Sequence, residues 1–308
     1  MGAGQAVRIP YVLGLVRAHV QRPCRIKLVL PRVRAGACAP ACVQRRVCAG
    51  TRAMARARSR TPLRDLSVTG RFVLGELIRV IDGRPYSQYV REAIFTPLGM
   101  SDCHIGMSPA TFAAYHKAGM PRPCARCAQL RCTAPNCTPY FPLLIGRIAE
   151  LYTLLPNGKI KGGSNATSPS EVSACIPAAN GRAPACQWIK VYEMLLRGGV
   201  GADGTQLLQP TTVARFTRRE RVGMFDEVTR SDCDWSLGCF VGAKIVGPYA
   251  SPDVYGHGGS QSSIAFCDPD KSLVCCLYLN TRPGPQKHEE RLQTLCTLLY
   301  EDLGIGSR

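Results

Sequence analysis

Four residues, Asp268-Pro269-Asp270-Lys271, separate two stretches rich in apolar side chains, residues 254–267 and 272–279. So short a link can only reverse the chain, so the two stretches are expected to pair as antiparallel strands. Residues 272–279 form a near-continuous apolar strand, and residues 234–246 read as a further strand upstream. The earlier part of the chain has a different period. Val73, Leu74, Leu77, Ile78 and Ile81 recur at helical spacing, and Gly83 closes that helix. A second helix is expected over 86–95, ended by Pro97 and the turn Leu98-Gly99-Met100. Trp188, Ile189, Tyr192, Leu195 and Leu196 mark a third, stopped by Gly198-Gly199. Pro210 opens a short helix through Phe216, because proline at a first helical turn sacrifices no hydrogen bond. A final helix places Leu292, Leu295, Leu298 and Leu299 on one face. Helices first, then antiparallel strands, then a closing helix define an α+β domain.

Charge divides the chain differently. Residues 1–60 hold thirteen Arg and Lys and no acid, which leaves +5 of the net +18 for the other 248 residues. The expectation is a basic, unstructured extension over 1–60 and a folded domain over 66–303. Such an arm suits an anionic surface, nucleic acid or an organelle-targeting segment. Tyr11 is its only aromatic residue, so it lacks the platforms on which bases stack. No run approaches the roughly 20 apolar residues of a membrane span.

Seventeen cysteines, an odd number scattered over 308 residues, suit reduced thiols and an intracellular setting better than a disulfide framework. Four of them, Cys124, Cys127, Cys132 and Cys137, fall in a proline-bearing stretch, 107–165, that reads as an irregular insertion. Paired cysteines can hold zinc, but only one Cys-x2-Cys knuckle is present and the other spacings are four. His104, His116 and His288 have no partners at a recognisable spacing and read as surface or capping residues. Glu76 and Arg79, one turn apart, read as a solvated helix face. Nothing in the sequence asks for a cofactor.

Three strings in order carry a family resemblance. The first runs from Ser67-Val68-Thr69-Gly70-Arg71 to Ile94-Phe95-Thr96-Pro97-Leu98-Gly99-Met100. The second joins Ile176–Gly181, Val191–Gly199 and Leu207-Leu208-Gln209-Pro210; the third is Tyr255-Gly256-His257-Gly258-Gly259-Ser260, followed by Ala265-Phe266-Cys267-Asp268-Pro269. Together they resemble the C-terminal two-thirds of beta-lactamase-related serine hydrolases, a group of class C beta-lactamases, D-alanyl-D-alanine carboxypeptidases and esterases. The resemblance implies an antiparallel sheet flanked by helices, with the N-terminal part of the fold missing or degenerate. It implies acyl transfer from a small ester or amide to a serine, activated by a lysine one helical turn later and assisted by a tyrosine. It assigns the third motif to His257, Gly258 and Gly259, with an oxyanion-hole N–H on Ser260.

The other two motifs depart from the pattern. Leu66 stands at the tyrosine position and cannot carry a proton; Ser67 and Val68 complete that motif. None of the eight lysines has a serine three residues before it. Only Lys27 has a thiol there, Cys24, in the basic extension and too close to Leu66 for the family's spacing. The expectation is therefore a serine-hydrolase homologue without an intact catalytic set. The alternative is a non-catalytic binding or regulatory protein that uses the vestigial pocket or the basic arm.

Overall fold

The computed structural model describes residues 12–18, 63–117, 148–149, 151–162, 168–226 and 231–306, the side chains of 12–18, 63–69, 116 and 117 excepted. Its strands are β1 (Val12–Ala18), β2 (His104–Ile105), β3 (Tyr152–Leu154), β4 (Ile160–Lys161), β5 (Gly181–Arg182), β6 (Phe225–Asp226), β7 (Ser231–Asp232), β8 (Asp234–Trp235), β9 (Phe240–Val241), β10 (Tyr255–Gly259), β11 (Ser263–Asp268), β12 (Leu273–Leu279) and β13 (Thr281–Arg282). Its helices are α1 (Leu63–Asp82), α2 (Tyr86–Val90), α3 (Pro109–Lys117), α4 (Pro169–Ser173), α5 (Ala185–Leu196), α6 (Pro210–Thr217) and α7 (Pro285–Asp302). The main sheet is antiparallel, in the order β1-β12-β11-β10-β9-β8. The class is α+β.

The β11–β12 hairpin sits at the centre of the packing. Along β12, Leu273, Cys275, Leu277 and Leu279 join one cluster with Leu292, Cys296, Leu299 and Tyr300 of α7. Val274 and Cys276 join the opposite cluster with Ile189, Tyr192 and Leu195 of α5. Successive strand residues point to opposite faces, so a strand covered by helices on both sides must be apolar at every position. This explains the uninterrupted run Leu-Val-Cys-Cys-Leu-Tyr-Leu. The turn is fastened by Asp268, which is fully buried. Its carboxylate accepts from Tyr300 Oη at 2.6 Å and from the backbone N–H of Ser251 at 3.0 Å. One buried polar cluster thus joins the hairpin, a loop and α7, and burial together with this bond pushes the Tyr300 hydroxyl pKa upward.

Several boundaries differ from the sequence reading. Residues 234–246 form a short β8–β9 hairpin, because Ser236 closes a tight turn: its Oγ donates to Cys239 O and accepts from Cys239 N. Residues 254–267 split likewise into β10 and most of β11. The second helix ends in a π-helical turn, Arg91–Phe95, that buries Phe95. Within the basic extension, Val12–Ala18 is not unstructured; it pairs with β12 over seven residues and covers an edge that would otherwise expose backbone groups. The stretch 107–165 is not irregular throughout. It contributes α3 and the β3–β4 pair, and Met107, Phe112 and Val172 form a small core beneath α3. Cys124, Cys127, Cys132 and Cys137 lie outside the described residues.

Helix α1 does not bury its apolar stripe. Val73, Leu74, Leu77 and Ile81 are all exposed, Ile81 at 76%. The helix instead packs through Gly75, where a Cβ would come within 2.8 Å of Pro177 Cγ. That close approach fixes which sector faces the domain. The apolar sector is left in solvent.

Removing the Tyr300 hydroxyl leaves a buried carboxylate one partner short. Tyr300→Phe is expected to cost about 1.5–3 kcal/mol, the range for hydrogen bonds to charged groups. Urea unfolding followed by circular dichroism measures this directly; an unchanged midpoint would mean that Asp268 has no fastening role.

Candidate active site

The third motif lies at the end of β10, and its position follows from strand pairing. Tyr255 and Gly256 pair with both β9 and β11, whereas His257 to Gly259 continue alongside β11 only. From His257 onward, one edge of β10 therefore has no β9 partner. Gly256 makes the close pairing possible: a Cβ there would fall 2.3 Å from Ala265 O and 2.8 Å from Phe266 Cα. Gly258 is under no such constraint, since its nearest contact would be Ser263 O at 3.6 Å. The motif's obligatory small residue is thus Gly256.

His257 is held from three sides. Its Nδ1 lies 2.7 Å from Gly258 O, and its Nε2 lies 3.1 Å from Arg71 Nη2 on α1. A guanidinium has only donors, so Nε2 must accept and the proton must sit on Nδ1, donating to Gly258 O. Trp235 of β8 meets the ring edge-on, with centroids 5.9 Å apart. Arg221 lies over the Trp235 ring, 6.0 Å from its centroid. Burial first, and then the Arg71 charge, hold the His257 pKa below its ordinary value, while the Gly258 carbonyl opposes them. The imidazole is neutral at pH 7.

The surrounding loops are fixed by named bonds. Arg71 Nη1 donates to Ala178 O at 3.4 Å, and Asn180 Nδ2 donates to Glu171 O at 2.7 Å, so the 176–180 segment is tied both to α1 and to α4. After Ser260 the chain turns through Gln261 at φ 55°. This left-handed conformation, unfavourable for a side chain larger than glycine, is held by two bonds. Gln261 Oε1 accepts from Gly284 N at 3.0 Å, and Gln261 O accepts from Arg291 Nη2 at 2.7 Å. Arg291 also reaches Thr281 Oγ1 at 2.7 Å and contacts His288 Nδ1 at 3.0 Å. Burial and the Arg291 charge lower the His288 pKa to about 4.

The structure brings α1, which carries Leu66, Ser67 and Val68, to the strand that carries His257. The contact is made by Arg71, one turn beyond Ser67. The side chains of Leu66, Ser67 and Val68 are outside the described ones. Trp235 and Gly256 complete the site, and neither was singled out from the sequence. A glycine two residues before the motif's own Gly258 was the available signal. His104 is buried rather than superficial: its Nε2 lies 3.2 Å from the Tyr115 hydroxyl, which donates to Asp102 at 2.6 Å. His288 is held by Arg291, and the His116 side chain is not among the described ones. Glu76 and Arg79 form the expected exposed pair at 2.6 Å.

The buried thiols are poorly suited to cysteine chemistry. Burial pushes the thiols of Cys103, Cys239, Cys267, Cys276 and Cys296 up to about 12, far from the thiolate form. No described group of His, Cys, Asp and Glu has an arrangement that could hold a metal ion.

The sequence profile of the beta-lactamase family matches residues 60–295. The chain belongs to the beta-lactamase family. It is 26% identical over 220 residues to the esterase/beta-lactamase LipL of Mycobacterium tuberculosis, covering 71% of this chain and 48% of LipL. It is 24% identical over 223 residues to a putative D-alanyl-D-alanine carboxypeptidase of Salmonella paratyphi B, covering 69% and 44%. The chain thus spans about half the length of the curated relatives it matches. Among solved structures, unliganded simvastatin synthase LovD of Aspergillus terreus shares the fold, with TM-score 0.50 and 16% identity over 74% of this chain and 53% of that one. A penicillin-binding protein homologue of Caulobacter crescentus aligns with TM-score 0.48 and 23% identity, covering 74% and 56%. This member of the family is a serine-hydrolase homologue of mixed α+β architecture.

Two depressed histidine pKa values have a measurable consequence. In the unfolded chain both rings take up protons near pH 6.5, whereas in the fold they resist protonation. The stabilisation is therefore complete above about pH 6.5 and is lost as pH falls through the folded values. The melting temperature is expected to drop between pH 7 and 5, where ordinary carboxylates stay largely ionised, and His288→Gln should flatten that drop. A melting temperature that rises on acidification across this window would contradict the assignment.

Proposed function

We propose that this beta-lactamase-family chain recognises small acyl compounds, esters or amides, along the open edge of β10, and that the chain as it stands does not turn them over. The observation that carries this reading is the state of His257. It lies at the open edge, yet its Nε2 lone pair is occupied by the Arg71 guanidinium. A ring whose acceptor nitrogen is already engaged does not accept a proton from a nucleophile at the same time. The sequence supplies no serine one turn before a lysine, and Leu66 stands where the family's proton-relaying tyrosine is expected. What remains at the site is a strand edge able to hydrogen-bond an extended acyl ligand, with small residues that let it approach.

The family resemblance supports an ester or amide as the ligand. LipL carries the name of an esterase and the Salmonella relatives that of carboxypeptidases. The fold alone does not choose between them.

The test joins turnover to binding. Incubating the chain with p-nitrophenyl butyrate and with a fluorophosphonate probe is expected to give neither a burst of nitrophenol nor a serine adduct by intact mass. Fluorescence of Trp235, isolated in a Trp188→Phe background, is expected to respond saturably to the butyrate ester. A stoichiometric serine adduct would refute the non-catalytic reading, and a flat fluorescence titration would refute the acyl-recognition reading.

A further inference from the structure

Arg71 is a half-buried cation with no acid beside it. Its guanidinium bonds two neutral acceptors, Ala178 O through Nη1 and His257 Nε2 through Nη2, and no carboxylate among the described residues pairs with it. The neighbouring arginines are satisfied differently. Arg221 pairs with Asp226, and Arg219 with Asp234 at 2.8 Å, so the acids of β6 and β8 are already matched. Even the exposed Arg79 and Arg84 have acids, Glu76 and Asp82. A charge drawn partly out of water is ordinarily paired, because the hydration it loses must be replaced.

The position of this unmatched charge gives it a use. Nη2 lies 3.1 Å from the ring of His257, on the part of β10 that has no β9 partner. The guanidinium therefore stands beside the edge along which an extended ligand would lie. It has five N–H donors, and the two bonds above leave three. A planar fork with donors to spare matches a carboxylate by two parallel hydrogen bonds. The His257 ring does not compete for that anion: it is neutral, and its own proton is turned to Gly258 O. A neutral ester on β10 would leave the Arg71 charge unmatched, whereas a ligand with a free acid group would match it.

We propose that the ligand of this site is an acyl compound bearing a free carboxylate, and that Arg71 selects it through a two-point hydrogen bond. The inference rests on acyl recognition along β10 and names the class of acyl compound recognised there.

A pair of esters of nearly equal shape tests it. Monomethyl succinate carries a carboxylate at pH 7, and dimethyl succinate carries none. Fluorescence of Trp235 in the Trp188→Phe background, titrated with each, should give at least about tenfold tighter binding of the monoester, as expected for a charge-assisted pair. Arg71→Gln should bring the ratio of the two affinities close to one. Arg71→Lys, which keeps the charge but not the fork, should retain part of the preference. If Arg71→Gln does not fold, the parental ratio and Arg71→Lys still decide. Equal affinities in the parental chain would overturn the inference while leaving acyl recognition intact. An undiminished preference in Arg71→Gln would assign the carboxylate to another cation and overturn it too. Equal weakening of both esters in that variant, with the ratio preserved, would show that Arg71 only props the strand and the 176–180 segment. No response to either ester would overturn acyl recognition itself, and this inference with it.

Discussion

The fold depends on one hairpin being covered from both sides. β11 and β12 sit between α5 and α7, and alternate residues of β12 supply the two clusters in turn. Burial of this kind is the dominant favourable term in folding, at about 25 cal/mol per Å² of apolar surface. The site inherits its rigidity from the hairpin. β10 is aligned by β11, Gly256 lets the two strands close, and the turn after Ser260 is pinned by Arg291 from α7. The position of His257 is thus a consequence of packing more than of any bond it makes itself.

Much of this was legible in the residues. The reversal at 268–271, the amphipathic pattern of α5 and the proline opening α6 are local signals, and each element formed where its signal stood. The three strings gave the family because their order and spacing carry information that none carries alone. What failed to show was non-local. The strand at Val12–Ala18 is recognisable only once β12 offers an edge 255 residues or more away. The splitting of 234–246 depends on Ser236 capping its own turn, which alternation of apolar residues does not report. The orientation of α1 is the sharpest case. Its stripe has the period of a core-facing helix, yet the close contact between Gly75 and Pro177 turns that stripe outward.

The candidate site was half legible. His257 to Ser260 were identifiable by resemblance, but their electrostatic state was not. That state depends on Arg71, brought in from 186 residues away on a different element. A guanidinium against a half-buried imidazole fixes the tautomer, lowers the ring's basicity and links the helix after the second motif to the strand of the third. The resemblance gives the second motif a proton-relaying tyrosine and the third an oxyanion-hole N–H. Here the described contact between them is a fixed hydrogen bond between a permanent cation and a neutral ring, which holds geometry without moving a proton.

The most direct measurement of this account is the protonation and tautomeric state of His257. Two-bond nitrogen–proton correlation spectra of 15N-labelled protein at pH 7, with His257→Gln to assign the signal, distinguish the three forms. A neutral ring protonated on Nδ1, reverting toward ordinary histidine basicity in Arg71→Leu, is the predicted result. A ring protonated on Nε2, or an imidazolium at pH 7, would mean that Arg71 does not cap His257 and that the site is free to act as a base or an acid.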